Sequence, residues 1–195
     1  MKKHYILYLP GLGDHYDIGR RFLLKCWQLY GVRTQLVPMH WRDGNRFEDK
    51  LTRLGKIIEE KHAQGYKVTL IGESAGGSMA LHAYAAYGEK LFRVMTVCGK
   101  NTQPQDVSPH LYRKNQSFKT SMFLVDEAIS SLTKAQRQAF VSVYPFKDGT
   151  VPIRETLIPD CQHVRLWSFG HLTSIAFALT LASGLIVRVA IRKER

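Results

Sequence analysis

Short apolar runs alternate with longer amphipathic stretches along the whole chain. Residues 5–9 are apolar throughout and stop at Pro10-Gly11, which reads as a first buried strand. Residues 18–30 carry Phe22, Leu23, Cys26, Trp27 and Tyr30 at helical spacing. A second strand is expected over 34–38, then a helix over about 47–62 striped by Leu51, Leu54, Ile57 and Ile58. Residues 68–71 read as a third strand and 74–87 as the helix after it. A fourth strand falls at 93–98, a fifth at 140–144 and a sixth at 164–167. The stretch 101–138 is mixed, with two helical pieces expected, and a last helix starts near His171.

This alternation predicts βαβ units. The fold class expected is α/β, doubly wound, with a mostly parallel sheet of about six strands and helices on both faces. Right-handed crossovers in such a sheet open a crevice at the carboxyl ends of the strands. Residues just after a strand are therefore site candidates, whereas mid-helix residues are structural first.

Composition narrows the picture. A chain of 195 residues, 45% hydrophobic and 11% aromatic, with neither a fixed-period repeat nor a low-complexity linker, reads as one globular domain over 1–195. Twenty-eight Lys and Arg against sixteen Asp and Glu leave a net charge of +12. The basic residues are scattered and tighten only at Arg188, Arg192, Lys193 and Arg195. A solvated cationic surface is the expectation, with no specific nucleic-acid partner; contact of the basic C-terminal end with a membrane surface is the alternative. Cys26, Cys98 and Cys161 form no CxxC pair, which argues against a disulfide framework or zinc site. The apolar run behind Met1-Lys2-Lys3 is too short for a signal peptide, and the uncharged stretch 172–187 falls short of a membrane span. A cytoplasmic location follows as an expectation.

The segment Gly72-Glu73-Ser74-Ala75-Gly76 has the pattern G-x-S-x-G and joins the third strand to its helix. Glycines at both flanks suit a sharp turn that lifts a serine hydroxyl clear of the sheet. A serine that merely capped the helix would not need them. A hydroxyl needs a base, and the base an orienting acid. Asp148 follows the fifth strand in Tyr144-Pro-Phe-Lys-Asp148-Gly-Thr-Val-Pro152, and His171 follows the sixth in Ser168-Phe-Gly170-His171. The chain order Ser, Asp, His is that of hydrolases built on an α/β sheet.

These three loops resemble those of the α/β-hydrolase superfamily, and the element order extends the resemblance over nearly the whole chain. It is similar to small, compact serine hydrolases without a large lid. The resemblance implies Ser74 as nucleophile, His171 as base and Asp148 as acid, with no metal and no cofactor. It also implies an oxyanion hole from the backbone amides of Ala75 and of Leu12, the latter in Leu9-Pro-Gly-Leu-Gly-Asp14, where Pro10 replaces the family's usual histidine and leaves Gly11 as the alternative donor. The activity implied is cleavage of an ester, thioester or related acyl bond of a small acyl substrate. The rival readings are a non-catalytic hydrolase-like scaffold that binds an anionic partner, and a membrane-associated lipase or acyltransferase.

His15 and Tyr16 in the glycine loop, and Trp41 and Asn101 after the second and fourth strands, are candidates to line the pocket. His82 is mid-helix, His163 is expected to precede the sixth strand at the wrong end of the sheet, and Asp126 is expected to open a helix. Cys98, at a strand end, reads as packing.

Overall fold

The computed structural model describes residues 3–15 and 17–192. Six strands form the sheet: β1 (His4–Leu9), β2 (Arg33–Leu36), β3 (Lys67–Glu73), β4 (Leu91–Val97), β5 (Phe140–Tyr144) and β6 (Gln162–Arg165). Their order is β2-β1-β3-β4-β5-β6, and every neighbouring pair is parallel. The winding therefore reverses between β1 and β3, and a crevice opens there. Register carries this into the site: Leu9 lies opposite Gly72, so the loop leaving β1 emerges beside the turn leaving β3.

Helices cover both faces. On one lie α2 (Phe47–Ala63), α3 (Ala75–Tyr87), α5 (Gln116–Phe123) and α6 (Val125–Ser130). On the other lie α1 (Ile18–Trp27), α9 (His171–Leu179) and α10 (Ser183–Ile191). Strands β1, β3 and β4 are buried on both faces over most of their length, which is why they read as mostly apolar segments without strict alternation, the polar Thr69 and Arg93 being buried by bonds to α10. Two strand side chains close the end of α10: Thr69 Oγ1 donates to the Ala190 carbonyl at 3.1 Å and Arg93 Nη1 to that of Val189 at 2.8 Å. They satisfy carbonyls that the last helical turn leaves without intrahelical partners.

The elements depart from the sequence expectation most clearly in five places. The helix of 18–30 ends at Trp27 and tightens into a 3-10 turn, Gln28–Tyr30, stopped by Gly31 at φ 78°. The mixed stretch holds four short helices rather than two, with α4 (Pro109–Lys114) and α7 (Lys134–Arg137) added to α5 and α6. Strand β6 lies two residues earlier than expected, because it is an edge strand whose Gln162, His163 and Arg165 are exposed. The last helix is two, bent by 73°. Thr180 Oγ1 bonds back to the Ala176 carbonyl at 2.6 Å at the break, a pattern that bends helices. No single helix among the described residues is long and apolar enough to cross a membrane. The bent pair instead buries Ile175, Leu179, Ile186 and Ala190 against the α1 face of the sheet. A short helix not read from sequence, α8 (Ile153–Thr156), follows the Asp148 loop.

Candidate active site

Ser74 sits between the last residue of β3 and the first of α3 with φ 49° and ψ −118°. Such a backbone costs a non-glycine residue about 1–3 kcal/mol and persists only where its surroundings impose it. Three backbone bonds do so here. Ser74 N donates to the Val97 carbonyl at 3.1 Å, and the Ser74 carbonyl accepts from Gly77 N and Lys100 N, each at 3.0 Å. The flanking glycines are a matter of contact: a Cβ on Gly72 would stand 2.3 Å from the Gly76 carbonyl oxygen, and one on Gly76 would stand 2.2 Å from that of Leu9. The Ser74 hydroxyl makes no cap bond to α3. It turns instead to His171.

The other two loops are held to each other. Leu166 N donates to the Tyr144 carbonyl at 2.8 Å, Phe146 N to Ser168 at 3.0 Å and Gly170 N to Lys147 at 2.7 Å. This zipper prolongs the pairing of β5 and β6 past the sheet edge and brings Asp148 beside His171. Ser74 Oγ lies 2.9 Å from His171 Nε2, and His171 Nδ1 lies 2.7 Å from Asp148 Oδ2. The second carboxylate oxygen accepts from Thr150 N at 2.8 Å and Val151 N at 2.9 Å. Burial alone would raise the Asp148 pKa, but the imidazole and these two amides outweigh it and hold the carboxyl below its usual range. The Asp148 carboxylate is thus ionised and fixed, and His171, with 8% of its surface exposed, has one nitrogen turned to each partner.

The loop Leu9–Asp14 crosses in front of Ser74. A Cβ on Gly11 would stand 2.9 Å from Ser74 Cβ and 3.5 Å from Oγ. Gly11 N donates to Glu73 Oε1 at 3.1 Å, so that amide is occupied. The Leu12 and Ala75 amides have no acceptor among the described residues.

Glu73 is the residue that sequence reasoning passed over. It is 1% exposed and accepts from Tyr8 Oη at 2.7 Å, Gly11 N at 3.1 Å, and Arg20 through Nη2 at 2.5 Å and Nε at 3.2 Å. One carboxylate therefore ties β1, the glycine loop and α1 to the residue preceding the serine. Its signal was present as a carboxylate at the buried end of β3, just before the turn. A second unforeseen link is the buried pair Lys100–Glu155, which fastens the segment after β4 to α8. Lys100 N also holds the Ser74 carbonyl, so the helix after the Asp148 loop and the serine turn share this anchor.

The expected lining residues fall differently. Trp41 is 1% exposed, and its Nε1 donates to the Pro10 carbonyl at 3.1 Å, so it supports the glycine loop from inside. Asn101 is fully buried, its Nδ2 bonded to Thr96 Oγ1 at 3.0 Å and the Thr156 carbonyl at 2.6 Å. Neither reaches the crevice, because both loops turn back into the core directly after their strands. His15 is exposed in the turn after Gly13, and Tyr16 lies outside the described residues. His163 stands within β6 rather than before it, opposite Ser142, with Nε2 3.0 Å from the Ile158 carbonyl. His82 Nε2 bonds the Ser121 carbonyl at 2.8 Å, and Asp126 lies in the first turn of α6.

Cys98 lies close by, with Sγ within 4.8 Å of an Asp148 carboxylate oxygen and a His171 ring nitrogen. Burial, and then the carboxylates of Asp148 and Glu73, push its pKa up to about 12. It therefore stays a thiol at neutral pH, a weak ligand and a weak nucleophile.

No protein-family model and no curated protein sequence matches the chain. Solved structures do. Est1E from Butyrivibrio proteoclasticus aligns with a TM-score of 0.70 and 12% identity, over 96% of this chain and 87% of that one. A structure from the work on the metagenome-derived lipolytic enzymes LipS and LipT gives a TM-score of 0.66 at 12% identity, over 96% of this chain and 94% of that one. Dienelactone hydrolase from Anabaena variabilis gives 0.64 at 19%, over 97% and 85%. The chain has the α/β-hydrolase fold. At these identities the likeness is one of fold, and within that fold the three loops at the carboxyl ends of β3, β5 and β6 are where Ser74, Asp148 and His171 meet.

Proposed function

We propose that the protein is a serine hydrolase that cleaves an ester, thioester or related acyl bond through an acyl-enzyme intermediate. The observation that carries this reading is the unbroken hydrogen-bond chain from Ser74 Oγ through His171 to an ionised Asp148. A structural role alone gives no reason to hold a serine in a strained conformation with its hydroxyl aimed at a base.

In the first step the Ser74 hydroxyl gives its proton to His171 Nε2 while Oγ bonds to the acyl carbon. The carbonyl π pair moves onto oxygen. Asp148 holds Nδ1–H and so keeps Nε2 as the acceptor, and its charge supports the imidazolium that forms. The Leu12 and Ala75 amides receive the oxyanion, one such donor lowering the barrier by about 3 kcal/mol. Gly11 is left out because Glu73 takes its amide. Collapse expels the leaving group, which takes the proton from His171. Water then repeats the sequence on the acyl-enzyme and frees Ser74.

The test is labelling by a fluorophosphonate, which phosphonylates activated serines. Modification at Ser74 that disappears in Ser74→Ala and in His171→Ala is the expected result. A folded wild-type protein that resists the probe and hydrolyses no p-nitrophenyl ester would overturn the reading.

A further inference from the structure

The zipper that positions Asp148 and His171 has an outer face, and that face is aromatic. Beyond β6 the extended backbone alternates: Leu166 and Ser168 point inward, while Arg165, Trp167 and Phe169 point out. Trp167 is 84% exposed, Phe169 69%, and Leu172, one residue past the histidine, 75%. Phe146, on the partner strand of the zipper, packs edge-on to Trp167 with ring centroids 5.0 Å apart and stacks on Phe169 at 5.7 Å. The Arg165 guanidinium lies 5.3 Å from the Phe146 ring and 5.6 Å from that of Tyr144, and the exposed Lys147 sits between Phe146 and Asp148. At these exposures Trp167 and Phe169 alone offer on the order of 300 Å² of ring surface to water. That already matches the largest apolar patch expected on an ordinary monomer.

We propose that this face docks the protein onto an anionic lipid surface, with Trp167, Phe169 and Leu172 entering the headgroup region and Arg165 and Lys147 meeting lipid phosphates and carboxylates. Tryptophan is favoured at that depth because its ring is apolar and its N–H remains hydrated. Basic side chains beside it add electrostatic attraction to anionic lipids. Charge selects this occupant. A second copy would bring the same cations and a chain charge of +12 against each other. A single-stranded nucleic acid would look for several open ring faces in a row, but Phe146 and Phe169 already stack on each other, Trp167 alone offers an open face, and Leu172 has no ring. The zipper backbone is fixed by its three hydrogen bonds, so the patch is presented without an ordering cost. The surface lies beside the triad, but its role does not depend on catalysis, and it is distinct from the basic C-terminal end.

Trp167 makes the test direct. Trp27 and Trp41, the other two tryptophans, are each 1% exposed, so a change in emission on adding vesicles reports Trp167. The full chain is titrated with phosphatidylcholine vesicles with and without phosphatidylserine. The expected result is a blue shift and protection from iodide with anionic vesicles, weakened by added salt. Trp167→Ala combined with Phe169→Ala should lower co-sedimentation with these vesicles at least tenfold at unchanged Tm. Lys147→Gln and Arg165→Gln should each lower it roughly fivefold. An unshifted wild-type spectrum would overturn the proposal without recourse to any variant. So would equal binding to neutral vesicles, an equal shift on adding a single-stranded RNA, or a patch-dependent dimer in sedimentation velocity.

Discussion

Replacing Glu73 with Gln changes almost no volume and removes one charge at the centre of the site's support. The carboxylate takes four donated bonds, from Tyr8 Oη, Gly11 N, Arg20 Nε and Arg20 Nη2. An amide has a single acceptor oxygen, which serves two donors at best and turns an NH2 group on the rest. Breaking a buried ion pair by neutralising one partner costs about 3–5 kcal/mol. Arg20, with 17% of its side chain exposed, keeps some contact with water, so the low end of about 3 kcal/mol applies. At about 2–4 °C per kcal/mol for a chain of this length, Tm should fall by about 6–12 °C. Calorimetry gives the shift, and kcat for a p-nitrophenyl ester should fall with it, because Gly11 loses the anchor that sets the glycine loop against Ser74. Adding Arg20→Met to Glu73→Gln should recover part of the stability, since the amide oxygen can then take Gly11 N while the NH2 group donates to the Tyr8 hydroxyl, which can accept. A Glu73→Gln variant within about 2 °C of the parent would refute this account of the carboxylate.

Three further outcomes follow from the same geometry. Gly76→Ala should prevent the turn from forming, because its Cβ would meet the Leu9 carbonyl oxygen at 2.2 Å; the expected loss of soluble folded protein is read by circular dichroism, and a stable, active variant would refute the contact. Because the folded-state pKa of Asp148 is depressed, its contribution to stability is present above the unfolded carboxyl pKa and lost as pH falls through the folded value. Asp148→Asn should therefore flatten the acid limb of the stability profile and, on the proposed function, abolish ester hydrolysis at neutral pH; a variant with the parent's acid limb would contradict this. Iodoacetamide on the native protein should modify the exposed Cys26 and spare Cys98, whose thiol is buried and held up to about 12, as peptide mass mapping would show.

The sequence by itself determined the parallel α/β organisation, because β1, β3 and β4 are buried on both faces and so appear as mostly apolar segments without strict alternation between helical patterns. It also placed Ser74, Asp148 and His171 after strand ends, since turn glycines and the end of an apolar run are local signals. Edges and supports were not local. β6 is an edge strand, so its polar residues carried no burial pattern, and the apolar residues beyond it drew the expected strand toward Trp167. The break at Thr180 depended on a side chain choosing a carbonyl one turn back. Trp41 and Asn101 looked like crevice residues by position, yet whether a loop turns outward or back into the core is decided by the partners it meets, here Pro10 for one and Thr96 and Thr156 for the other. Glu73 shows the division most plainly. Its carboxylate was visible in the motif, but its partners lie 53 to 65 residues away, and only the folded sheet brings Tyr8, Gly11 and Arg20 around it. Burial pattern is written in neighbouring residues and can be read from them; pairing of polar groups is a property of space, and the chain acquires it only when the strands align.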